Sequence, residues 1–252
     1  MTERTMNELT LNVLSLRYSS WSMRAFLALQ QTGAAHTIVT RALPHMQRQG
    51  EGDALAELDS TTRRERRELG SIHGLFPTLW IDGVGIHETL AICETLAEHY
   101  PDAGLWPEPP LERARARALS SEMATGFTGL RGELSCHLFG RVQGFTASAG
   151  AQADIERVFE LWADALNRSG GPFLFGAFGI VDAMYFPVLT RFRTYGVTVP
   201  AALERYTSAL AQAAPVQALL REAATAPPIP IYDDYLRELG GDPEAGRSDP
   251  LG

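Results

Sequence analysis

Apolar and polar positions alternate in short runs through the first hundred residues and settle into a helical period afterwards. Residues 9–16, LTLNVLSL, carry the apolar run of a strand. From Ser22 to Gln31, Met23, Phe26, Leu27 and Gln30 recur on successive turns and Gly33 follows as a stop, which predicts a helix. Residues 36–41, HTIVTR, are β-branched and read as a second strand. TLWID and VGIH flank Asp82-Gly83, a two-residue hairpin signal. Thr89 to His99 returns to the helical period and ends at Tyr100-Pro101. The order is strand, helix, strand, a polar arginine-rich stretch at 47–70, then strand, strand, helix. That order is neither a Rossmann alternation nor a barrel.

Residues 101–111, PDAGLWPEPPL, hold four prolines and read as a linker. Beyond it the pattern is helical at roughly 112–139, 151–168, 180–195, 201–212 and 216–224. The expected organisation is therefore an α/β domain over 9–100, a linker over 101–111 and an all-α helical-bundle domain over 112–235. The polar end, 236–252, is expected to be disordered.

The charge changes what this architecture can do. Twenty-two basic residues against thirty acidic ones give a net charge of −8, which argues against a nucleic-acid partner. All the basic residues are arginine, so Schiff-base, P-loop and kinase-type lysine chemistry is excluded. Cys93 and Cys136 match no metal-ligand spacing, and the six histidines form no HxxxH pair, so no metal is expected. The polar opening MTERTMNELT and the lack of a long apolar run predict a cytoplasmic chain without a membrane segment.

Four local motifs carry chemistry. Tyr18-Ser19-Ser20-Trp21-Ser22-Met23-Arg24 opens the first helix, and a serine there either caps the helix or donates to an anion favoured by the helix dipole. Phe76-Pro77 precedes a strand, a position where a cis proline exposes the preceding main chain to a ligand. Glu88-Thr89 opens the next helix. Thr89 is expected to cap it and to offer its amide and hydroxyl to a carboxylate, while Glu88 suits an ammonium group. Together the two fit the head of an α-amino acid. Phe173–Ala183 reads as structural, with Asp182 reaching back to the helix start as half of a capping box.

In this order and spacing, the serine-rich helix start, the Phe-Pro turn, Glu-Thr-Leu-Ala-Ile, the proline-rich linker and FLFGAFGIVDA resemble the cytosolic glutathione S-transferases. The likeness covers roughly residues 9–225 and is nearest the serine-type zeta/theta-like bacterial branch. It implies a thioredoxin-like N-terminal domain that holds glutathione, an all-helical domain that supplies the electrophile pocket, and a homodimer. By position, Ser19 matches the serine that hydrogen-bonds the glutathione sulfur, and Ser20 is the alternative reached by counting back from Arg24. Phe76 and Pro77 match the pair that clasps the cysteinyl backbone, and Glu88 and Thr89 the pair that binds the γ-glutamyl head. Trp21 stands where isomerising zeta members carry cysteine, and Gly179 replaces the usual hydroxyl of the capping box.

The electrophile pocket is expected to involve Trp21, Met123, Phe127 and Arg131. Met123 and Phe127 are four apart on one expected helix face, which suits core or pocket wall, and Arg131 extends that face. Arg191 and Arg193 lie near where zeta relatives place substrate-facing arginines, which would suit a carboxylate-bearing electrophile. The run Arg63–Arg67 reads as a solvated face, with a minority reading that gives one arginine to the glycyl carboxylate of glutathione or to an acidic substrate. The expected activity is addition of the glutathione thiolate to a small electrophile. The alternatives are glutathione-dependent cis–trans isomerisation of the maleylacetoacetate or maleylpyruvate type, and a catalytically silent glutathione-binding scaffold. A thioredoxin-like redox role ranks last, because no cysteine stands near the first helix in sequence.

Overall fold

A computed structural model describes residues 8–42 and 60–252. β1 (Leu9–Val13), α1 (Ser20–Thr32) and β2 (Thr37–Thr40) form a parallel crossover, and α1 ends where Gly33 takes a positive φ of 66°. α2 (Ser60–Glu68) follows, then β3 (Thr78–Ile81) and β4 (Val84–His87), which turn at Asp82-Gly83 with both φ angles positive. α3 (Thr89–His99) closes the α/β unit. The sheet order is β2-β1-β3-β4, with β1 antiparallel to β3 and β3 antiparallel to β4. The expected thioredoxin-like arrangement is what the chain adopts. The arginine run lies on α2, which buries no residue, while positions 47–59 of the polar stretch lie outside the described residues.

The rest is helical: α4 (Pro110–Thr125), α5 (Thr128–Glu133), α6 (Ala149–Ser169), α7 (Ile180–Tyr195), α8 (Glu204–Gln212), α9 (Ala214–Thr225) and α10 (Pro230–Glu238). α1 packs on α3 and also on α7 and α9, so it is shared between the two halves. α7 is buried along almost its whole length, and its start is the expected capping structure. There Asp182 accepts from Gly179 N at 3.0 Å and Leu174 N at 3.2 Å, and burial pushes its carboxyl up to about 7. Among the described residues no helix is long and apolar enough to cross a membrane.

Two expectations need correction, and the linker between α3 and α4 gains a detail. The helix expected over 112–139 is broken, because Gly126 ends α4 and Phe127 takes a left-handed φ of 58° before α5 begins. The proline-rich linker is clamped: Ile180 N donates to Leu105 O, and Trp106 Nε1 donates to Glu94. The polar end, 236–252, is packed rather than disordered. Arg141 Nη2 donates to the carbonyls of Asp249 and Pro250, Gly246 N donates to Phe139 O, and Leu251 is buried. Gly241 is required there, since a Cβ would lie 2.7 Å from the backbone carbonyl oxygen of Arg141. Composition reports the missing apolar side chains but not the arginines that recruit the carbonyls of the last residues.

Candidate active site

Strand register assembles the site. Asn12 near the end of β1 faces Thr78 at the start of β3, and Thr78 faces His87 at the end of β4. The loop carrying the serines, the turn at Pro77 and the Glu88-Thr89 junction therefore emerge at one edge of the sheet. The Phe76–Pro77 bond is cis, as its place ahead of a strand suggested. Ser71 Oγ stiffens the approach to it, accepting from Gly74 N at 2.8 Å and donating to Leu75 O at 2.7 Å. The His73 and His87 rings meet edge to face at 4.1 Å and join this loop to the end of β4.

Ser19 is the N-cap of α1. Its oxygen accepts from Ser22 N at 3.3 Å, and its hydroxyl donates to Ser22 Oγ at 3.0 Å, which also accepts from Leu14 N. Ser20 is the first residue of the helix, half-buried, and its hydroxyl makes no hydrogen bond among the described residues. The two serines are thus separated by occupation: one is spent on the cap and the other is unused.

Glu88, not Thr89, caps α3. Its Oε2 accepts from Leu90 N at 2.9 Å and Ala91 N at 3.4 Å, and its φ is +71°. A non-glycine residue held there stores roughly 1–3 kcal/mol of backbone strain, which tends to mark functional positions. Thr89 is the first helical residue and is buried, and its hydroxyl makes no hydrogen bond among the described residues. Arg66 of α2 reaches the same edge. Its Nη1 donates to Gly74 O at 3.1 Å, its Nε is buried without a partner among the described residues, and burial lowers its pKa.

Of the four expected pocket residues the structure joins two. The Arg131 and Arg24 guanidinium carbons lie 5.1 and 4.5 Å from the Trp21 ring centre, within cation–π range. Met123 and Phe127 do not share a helix and are sealed in the core. Arg191 is buried as well, donating to Leu134 O and Pro187 O. Burial first, then the charges of Arg191 and Arg131, push Arg24 down to about 9. Arg24 donates from Nε to Met184 O, but its Nη1 and Nη2 have no partner, and no carboxylate lies within ion-pair distance of the three arginines among the described residues.

Sequence reasoning missed several groups that contact Tyr18 and Met23, on either side of the serines in the chain. Cys136 approaches α1 in space, with its Sγ 3.9 Å from Met23 Sδ and 3.6 Å from Thr190 Oγ1, but it is buried and forms no disulfide among the described residues. Tyr18, the neighbour of Ser19, donates to Asp233 of α10, which also meets His137, and the Tyr18 ring stacks on Tyr232. The adjacency of Tyr18 to Ser19 was legible, but its partners 215 positions away were not. No group of three or more candidate metal ligands occurs among the described residues.

This geometry has relatives. The chain is 33% identical over 111 residues to a probable maleylacetoacetate isomerase of Caenorhabditis elegans, and 37% identical over 106 residues to a maleylacetoacetate isomerase of Rhizobium meliloti. The first match covers 44% of each chain, the second 42% of this chain and 43% of the relative, so the chain spans less than half the length of the curated relatives it matches. A crystal structure of a glutathione transferase homolog from Burkholderia GL BGR1 with bound glutathione superposes with a TM-score of 0.62 at 24% identity, covering 87% of this chain and all of that one. Maleylacetoacetate isomerase from Anaeromyxobacter dehalogenans 2CP-1 gives 0.59 at 22% identity, covering 90% and 97%. The family sequence model for the glutathione S-transferase N-terminal domain matches residues 18–99, and that for the C-terminal domain matches residues 86–219. With these matches spanning most of the chain, and the folds in agreement, the chain belongs to the glutathione S-transferase family.

Proposed function

We propose that the protein binds glutathione at the sheet edge, holds its sulfur as a thiolate at the start of α1 and adds it to a small electrophile. The observation that carries this reading is the register Asn12–Thr78–His87, which gathers the serine pair, the cis Phe76–Pro77 turn and Glu88-Thr89 at one edge. Thr89 suits the γ-glutamyl carboxylate and the free Glu88 oxygen its ammonium, while the Phe76 main chain suits the cysteinyl backbone. Arg66, whose Nη1 donates to the Gly74 carbonyl and whose Nε has no partner among the described residues, suits the glycyl carboxylate. The sulfur then lies near Ser19 and Ser20, where the dipole of α1 and one donated hydrogen bond favour the anion. Ser20 is the stronger candidate for that donor, because the Ser19 hydroxyl already serves Ser22. Positioning and thiolate stabilisation are then the whole catalytic contribution of this half: the sulfur lone pair forms the new carbon–sulfur bond while a leaving group departs, or a conjugated system accepts the charge.

A second reading, glutathione-dependent isomerisation, is favoured by Arg24, Arg131 and Arg191. Arg24 and Arg131 at the Trp21 ring, with Arg191 in electrostatic reach of both and no carboxylate within ion-pair distance among the described residues, suit an electrophile that brings its own negative charge. Thiolate addition to a conjugated cis double bond leaves a single bond free to rotate, and expulsion of the thiolate returns the trans product with glutathione unchanged. The assembly we propose is a homodimer in the cytoplasm, to be checked by light scattering and fractionation. Calorimetric titration with glutathione tests the reading as a whole. The expected result is saturable binding that is lost with oxidised glutathione as titrant; no heat with the reduced tripeptide would overturn it.

A further inference from the structure

Arg24 carries a charge, has no exposed surface and is only partly satisfied. Its side chain leaves α1 for α7, where Nε donates to Met184 O at 2.9 Å. Nη1 and Nη2 of the same guanidinium are buried with no partner among the described residues. Other arginines stand close by. Arg131 of α5 shares the Trp21 ring with Arg24. Arg191 donates from Nη1 to Pro187 O, one turn along α7 from the carbonyl that Arg24 holds. The acceptors given to these three arginines are carbonyl oxygens, those of Ala124, Gly126, Leu134, Met184 and Pro187. Carbonyls satisfy hydrogen bonds but bring no counter-charge, and the ion pairs among the described residues involve other arginines.

A buried guanidinium without a counter-charge is costly, and buried donors without acceptors add to that cost. We propose that Arg24 Nη1 and Nη2 bind a small inorganic monoanion of halide size, a counter-ion held where α1 meets α7. The sign follows from the cluster: arginines gathered without a carboxylate favour an anion. Burial, and then the charges of Arg191 and Arg131, push Arg24 down to about 9, which still leaves it protonated at neutral pH. The size follows from burial. A ligand of Arg24 must be enclosed whole, which suits a single atom better than a carbon chain that ends in a carboxylate. An electrophile arriving from solvent meets Trp21 and Arg131, both half-buried, rather than Arg24. The ion therefore serves the junction of the two halves, where α1 packs on α7, and its binding does not depend on the glutathione reading.

Bromide is the probe, because it matches chloride in charge, is close to it in size and scatters anomalously. The full chain is titrated with sodium bromide against sodium gluconate at constant ionic strength, with tryptophan emission as the readout. Trp21 lies against the Arg24 guanidinium, so an ion bound there should quench it along a hyperbolic curve. Arg24→Met should raise the half-saturating bromide concentration at least tenfold, and Trp21→Phe should remove the hyperbolic component. Arg168→Met, at an exposed arginine paired with Asp164, should leave the curve unchanged. Crystals of the wild-type chain grown with bromide need no variant to fold, and should show an anomalous peak within hydrogen-bond distance of Arg24 Nη1 or Nη2. A purely linear emission change, as collisional quenching gives, or an equal half-saturation in Arg24→Met overturns the site. So does an anomalous map whose peaks all lie at surface arginines.

Discussion

The Tyr18 hydroxyl donates to Asp233 Oδ1 across 2.7 Å, a buried bond between residues 215 positions apart in the chain. The same oxygen takes His137 Nε2, and Arg17 lies 3.9 Å away, so one carboxylate of α10 ties the residue before the serine pair to the helical half. Replacing Tyr18 with Phe removes one donor to this carboxylate and the acceptor of Ile229 N, and nothing of the ring stack. The expected cost is about 1.5–3 kcal/mol, the range for a hydrogen bond to a charged group. Chemical denaturation of Tyr18→Phe checks it, and an unchanged midpoint would show that the bond contributes nothing net.

The same cluster predicts sensitivity to acid. Burial, the largest influence, and the charge of Arg17 hold His137 neutral, down to about 4 from 6.5, although Asp233 and Glu244 pull the other way. A depressed folded value means that the unfolded chain binds the proton first as pH falls. Stability from this group is therefore complete above about 6.5 and is lost progressively as pH drops towards 4, by about 3 kcal/mol at most. Denaturation midpoints should fall over that window in wild type, and His137→Gln should flatten the slope whatever its absolute stability. A slope of equal steepness in the variant would assign the effect to other groups.

Glu88 is both a cap and the expected partner of an ammonium group. Glu88→Gly and Glu88→Ala should each weaken glutathione binding by about 1.5–3 kcal/mol through loss of the charge-assisted bond. Their stabilities should differ, because glycine accepts the φ of +71° and alanine keeps the strain, by about 1 kcal/mol in favour of glycine. Calorimetry and thermal melts separate the two effects. Equal melting temperatures would argue that the strained backbone is relaxed by its surroundings.

The sheet, the hairpin and most of the helices were legible because their signals are local. Alternation, a two-residue turn at Asp82-Gly83 and a 3.6-residue period each report on adjacent positions. The cap of α3 was misassigned for a similar local reason: threonine is a common cap and glutamate at positive φ is not, so the preference pointed one residue too far. The α4–α5 break at Phe127 carries only a glycine as warning, and the surrounding apolar spacing continued through it. What sequence could not supply was long-range pairing. Nothing in a polar C-terminal segment announces that Asp233 will bury itself between Tyr18 and His137, or that Arg24 and Arg131, from two different helices, will meet on one tryptophan.

The central claim is that this site holds the glutathione sulfur as a thiolate, and absorbance titration of the bound thiol tests it most directly. Free thiols titrate near ~8.5, and a helix terminus with one donated hydrogen bond should lower that to roughly 6.5–7. Ser20→Ala should return the value towards that of free glutathione, while Ser19→Ala should mainly cost about 1 kcal/mol of helix-cap stability. If bound glutathione titrates near ~8.5 in the wild-type protein, the site does not activate the sulfur and the account is contradicted.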